Sequence, residues 1–68
     1  MKRFADMNTE ERLQWGDAEG AKRREDLRAG PLEMKARAAN RAMEIGCTYH
    51  AAETMVRNAS RRQRGMRV

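Results

Sequence analysis

Large aliphatic side chains are scarce in this chain, and that scarcity limits what it can fold into. Leu, Ile, Val and Phe together number seven among 68 residues (Phe4, Leu13, Leu27, Leu32, Ile45, Val56 and Val68), whereas eleven residues are alanine. That share is below the roughly 20% under which chains of high net charge tend to stay unfolded. The length allows one domain, near the size at which a single core barely suffices. The six methionines and Trp15 make up part of the shortfall. An isolated monomer is therefore expected to be weakly stable, with dimerisation or folding on a partner supplying the missing burial.

Strand signals are nearly absent, because β-branched residues are few and no apolar run alternates. Helix signals are clear. Asn8 and Glu11 have capping-box spacing, which starts a first helix over about 9–29. Gly16 and Gly20 fall inside it, on one stripe with Leu13 and Leu27. They either let another helix approach closely or break the segment into two shorter turns. Gly30-Pro31 ends this element and opens a second helix over 31–45. Its apolar arc has two rows, Leu32, Ala36, Ala39 and Met43 beside Met34, Ala38, Ala42 and Ile45, an arc wide enough for two neighbours. Glu33 and Arg37 form a favourable i,i+4 pair, and Gly46 is a natural terminator.

Thr48 caps a third helix over about 48–64, leaving a basic tail at 65–68 expected to fray. Ala52, Met55, Val56 and Ala59 make its apolar face. Opposite them His50, Thr54, Arg57, Arg61 and Arg64 form one stripe on helix geometry. The predicted fold is all-α, a small three-helix bundle in which the last two helices form a helix-turn-helix.

Charge is distributed unevenly along the chain. Up to Glu53 ten Lys/Arg balance ten Asp/Glu; beyond it come Arg57, Arg61, Arg62, Arg64 and Arg67 with no acid, so the formal +5 belongs to one end. Arginine alone, without lysine, favours bidentate contact with phosphate or base edges. A solvated helix end, where cations meet the negative dipole terminus, accounts for Arg61 and Arg64 but not for five unbalanced arginines.

The segment 38–57, AANRAMEIGCTYHAAETMVR, resembles the helix-turn-helix of bacterial and phage DNA-binding proteins. Ala42 is small where two helices cross, Gly46 enters the tight turn, and Ile45 and Cys47 flank it. Ala52 and Met55 return the second helix's core side. Two positions depart from the pattern: Arg41 stands where the family is usually apolar, and Ala52 replaces the commoner Val or Ile. The resemblance implies a non-enzymatic regulator of transcription that docks on duplex DNA. Thr48 and Tyr49 would hold phosphates at the helix N-terminus. His50, Thr54 and Arg57 would reach base edges, with Arg57 suited to guanine. Arg61, Arg62 and Arg64 would neutralise backbone phosphates. Glu53 would accept from cytosine or pair with Arg57. RNA is the alternative polyanion, and a homodimer is compatible with the weak core.

A competing reading is a small phage-type interaction protein that binds and inhibits a host polymerase or nuclease, with the arginines and Trp15 as its contact surface. Trp15 alternatively folds back onto Phe4 and Met7. A third reading is a minor structural component of an assembly.

The remaining classes find no support in the residues. One cysteine and one histidine exclude a disulfide and the ordinary zinc sets. Nucleophile–base pairs, phosphate loops and signs of a bound cofactor are missing, so no enzyme is expected. No apolar run has membrane-spanning length and no signal-type stretch follows Met1-Lys2-Arg3, so a cytoplasmic protein is expected.

Overall fold

The computed structural model describes residues 2–65 and contains three α-helices, with no strand among the described residues. Helix α1 spans Thr9–Asp26, α2 spans Pro31–Glu44 and α3 spans Tyr49–Gly65. A short 3-10 turn, Phe4–Asp6, precedes α1, and a second, Leu27–Ala29, follows it. The first helix therefore stops three residues earlier than its pattern predicts, and its last turn tightens before Gly30. Positions 66–68 of the expected basic tail lie outside the described residues, and Gly65 still belongs to α3.

Local chemistry sets the boundaries. Asn8 and Glu11 bond reciprocally: the Asn8 side chain accepts from the Glu11 amide at 2.8 Å, and the Asn8 amide donates to the Glu11 carboxylate at 3.0 Å. Gly30 (φ 106°) takes a conformation closed to side-chain-bearing residues, and Pro31 starts α2 at once. The chain leaves α2 through Ile45 and turns at Gly46, where φ is 77°. The Thr48 hydroxyl then accepts from the Ala51 amide at 3.0 Å, capping α3.

Helices α1 and α3 run antiparallel and form the main seam of the molecule. Arg23 meets Tyr49 at one end, and Glu10 meets Arg62 at the other. Between these ends Gly16 and Gly20 are buried within one continuous helix, so they admit a neighbour and do not break the segment. At Gly16 the backbone of Met55 occupies the space a Cβ would need, while at Gly20 the nearest atom is Val56 Cγ1, 3.4 Å from where a Cβ would sit. Close backbone approach offsets the shortage of large side chains through dispersion contacts.

The apolar core is correspondingly small. Met7, Ala42, Ile45, Ala52 and Met55 form it, with Phe4, Trp15 and Cys47 packed against its edge. The two largest fully buried side chains are Ile45 and Glu19. Of the two apolar rows predicted on α2, only the one with Ala38, Ala42 and Ile45 is buried. Leu32 and Met43 stand 84% and 73% exposed, so that face lacks the second neighbour its width suggested.

Ion pairs take the place of apolar contact between α1 and α2. The Glu19 carboxylate, 2% exposed, accepts from Arg41 and, at 3.3 Å, from Arg23. Arg41 also reaches Asp26, 2.9 Å away, and Arg37 bridges Asp26 at 3.2 Å and Glu33 at 3.0 Å. Arg41, at the position where the helix-turn-helix pattern is usually apolar, thus points at α1 instead of into the core. Burial works against the charge on Asp26, but hydrogen bonds from Arg41 and Arg37 outweigh it and hold its carboxyl below the usual value. Glu11 is held low as well, by its bond from the Asn8 amide and by Lys2.

A group whose folded pKa is depressed contributes stability above its unfolded value and loses it as pH falls through the folded one. Thermal midpoints are therefore expected to stay level above about pH 5 and to fall below about pH 4. The measurement is circular dichroism melting from pH 7 to 2, in which Asp26→Asn should flatten part of the decline.

Candidate nucleic-acid interface

Helix α3 separates its residues by size and charge. Ala52, Met55 and Ala59 face inward and are buried, and Val56 is half-buried against Gly20. His50, Arg57, Arg61 and Arg64 are exposed on the opposite side, with Thr54 half-buried at their edge. The helix period lines these five into one outward row. Arg61 and Arg64 have no ion-pair partner among the described residues, and Arg57 has only a long contact, 3.7 Å, to Glu53 on the same helix. Exposed i,i+4 pairs of this kind contribute well under about 1 kcal/mol, so all three guanidinium groups can turn to a ligand.

Other residues assigned to the interface already have structural work. The Tyr49 ring lies over the Arg23 guanidinium, 5.1 Å from its centroid, and so packs on α1. Arg62 leaves the row and pairs with Glu10 at 2.7 Å across the α1–α3 seam, while Gln63 bonds Asp17 beside it. The Thr54 hydroxyl donates to the His50 carbonyl at 3.1 Å, which leaves its oxygen to accept but not to donate. Thr48 uses its oxygen as the α3 cap, and its hydroxyl proton stays free. Trp15 is half-buried against the core that contains Met7, the folded-back placement, so it does not stand out as an anchor.

The residue-by-residue reading overlooked Arg3. The segment 3–7 lies across the α2–α3 turn, where the Phe4 amide donates to the Ile45 carbonyl at 2.7 Å. Arg12 holds this segment from the other side, with its guanidinium 4.1 Å from the Phe4 ring centroid and a 3.1 Å bond to the Phe4 carbonyl. Arg3 thereby sits against Gly46, filling the space where a Cβ would lie. It adds an exposed cation beside the start of α3. No local pattern marks Arg3, because its position depends on a bond to a residue far along the chain.

Cys47 is half-buried in the turn, and burial together with the charge of Glu19 raises its thiol pKa, which keeps it protonated. Among the described residues no three His, Cys, Asp or Glu converge as metal ligands, and no helix is long and apolar enough to cross a membrane. No protein family, curated protein or solved structure matches the chain.

Proposed function

We propose that the protein binds duplex DNA through the outward row of α3 and acts as a small, non-catalytic regulator. The observation that carries this reading is the placement of Arg57, Arg61 and Arg64 in solvent, directly opposite the small residues that seat α3 on α1. A recognition helix needs this arrangement: one side fixed by packing, the other able to enter a major groove. His50 and Arg57 lie in the first turns, where base edges come within reach, and Arg57 forks onto guanine once it leaves Glu53. Arg61 and Arg64 neutralise phosphates farther along, and Arg3 adds a phosphate contact next to the turn. Occlusion or recruitment at a promoter follows from occupancy alone and needs no chemistry. Trp15 packs on the core, so a reading as an inhibitor of a host protein rests on the arginines alone.

The test is mobility shift on random-sequence duplex DNA between about 50 and 200 mM salt. Removing all three guanidinium groups in Arg57→Ala/Arg61→Ala/Arg64→Ala is expected to weaken binding about 100-fold. It should also reduce the slope of log K against log salt by about 2.7, or 0.9 for each lost phosphate contact. Absence of binding at about 50 mM salt, or a slope indifferent to the substitutions, would overturn the proposal. Tighter binding to duplex RNA would overturn the assignment to DNA.

A further inference from the structure

We infer that the protein forms a reversible dimer through the outer face of α2, with a second copy of the chain as the occupant. Leu32 and Met43 are the two most exposed large apolar side chains, and both lie on this helix. Ala36, exposed, and Ala39, half-buried, lie between them. The steps of four, three and four residues place all four on one seam, which is the a/d spacing of a paired helix. The opposite row of α2 is already seated on the molecule's own core, so the exposed face is a second apolar surface and not a misplaced first one. Large side chains at the two ends and alanines in the middle suit a close crossing of two helices.

The edges of the seam indicate which occupant fits and how it lies. At 100° per residue Glu33 and Glu44 fall along one edge and Lys35 along the other. Lys35 and Glu44 have no ion-pair partner among the described residues, and Glu33 is shared with Arg37 on the same helix. Turning a second copy about an axis parallel to α2 places each acidic edge against the other copy's Lys35 edge. The antiparallel arrangement would set the acidic edges against each other. The seam is therefore complementary to itself in the parallel sense, with Leu32 on Leu32 and Met43 on Met43 across the two-fold axis.

A single helix face of 14 residues buries less than the roughly 800 Å² per partner of a stable interface. The association is consequently weak and dependent on concentration. It does not rest on the nucleic-acid reading, because α3 takes no part in it.

Sedimentation equilibrium from about 10 µM to 1 mM tests the inference, since weak interfaces dissociate in that range. The average mass is expected to rise above the 7.9 kDa monomer towards twice that value. Leu32→Gln/Met43→Gln should shift the curve at least 10-fold to higher concentration while circular dichroism stays unchanged, since both side chains are exposed. Lys35→Glu, which puts acid on both edges, should weaken the dimer most at low salt. A monomer across the whole range, or a dimer indifferent to Leu32→Gln/Met43→Gln, would refute the inference. A dimer strengthened by Lys35→Glu would refute the parallel arrangement.

Discussion

Gly16→Ala is expected to destabilise the fold by about 3 kcal/mol or more, although alanine is the better helix former by about 1 kcal/mol. The added methyl group would meet the carbonyl of Met55, which is backbone and cannot swing aside. Relief requires α1 and α3 to separate, and most of the apolar contact lies along that seam. A domain of this length has about 3–10 kcal/mol of stability in total, so the loss approaches the whole. Thermal melting followed by circular dichroism should show the midpoint falling by about 12 °C or more, and no cooperative transition for Gly16→Val. Gly20 is the internal comparison. A methyl group there meets Val56 at ordinary contact distance, so Gly20→Ala should be neutral or gain the helix-propensity difference. If Gly16→Ala raised the midpoint as well, α3 could not lie where it is described.

Arg41→Ala is expected to cost about 3 kcal/mol, for a different reason. Glu19 is buried between the helices, and Arg41 supplies one of its two guanidinium partners. Truncating the arginine leaves a carboxylate in a poor solvent with only Arg23 to answer it, and breaking a buried pair costs more than removing both members. The double substitution Glu19→Leu/Arg41→Met should therefore be more stable than Arg41→Ala. Urea unfolding of the single and double variants gives the comparison, with the midpoint of the double variant returning towards that of the parent. An Arg41→Ala midpoint equal to the parent's would mean that the ion pairs hold nothing together. Arg37 and Asp26 make the same kind of contact nearer the surface, so loss of Arg37 should matter less.

The parts of this fold legible in the sequence are those specified by neighbours in the chain. Asn8 and Glu11 form their box across three residues, and Gly30-Pro31 and Gly46 impose turns by their own conformational limits. The outward arginine row of α3 follows from helix period alone. Across longer separations the sequence says less. Glu19 and Arg41 are 22 residues apart, and nothing in either segment announces that a buried carboxylate will meet a guanidinium there. Arg62 lies within one residue of the row it was assigned to, yet Glu10, 52 positions away, draws it to the seam. Periodicity likewise found both apolar rows of α2 but could not tell which one the molecule covers, so the exposure of Leu32 and Met43 had to come from the fold. Tyr49 and Trp15 share this ambiguity: an aromatic ring at a helix edge suits packing and contact equally well until its neighbours are known.

The bond from Phe4 to Ile45 also bears on how the molecule assembles. It closes a loop around the whole of α1 and nearly all of α2, so it forms only after both helices have found their places. The first residues thus act as a late latch over the α2–α3 turn. Few bonds hold that latch, and its release uncovers Met7 and Ile45 at the rim of the core. Excursions from the native state are therefore cheapest at the amino terminus, and they loosen the turn that orients α3 before they disturb the α1–α3 seam.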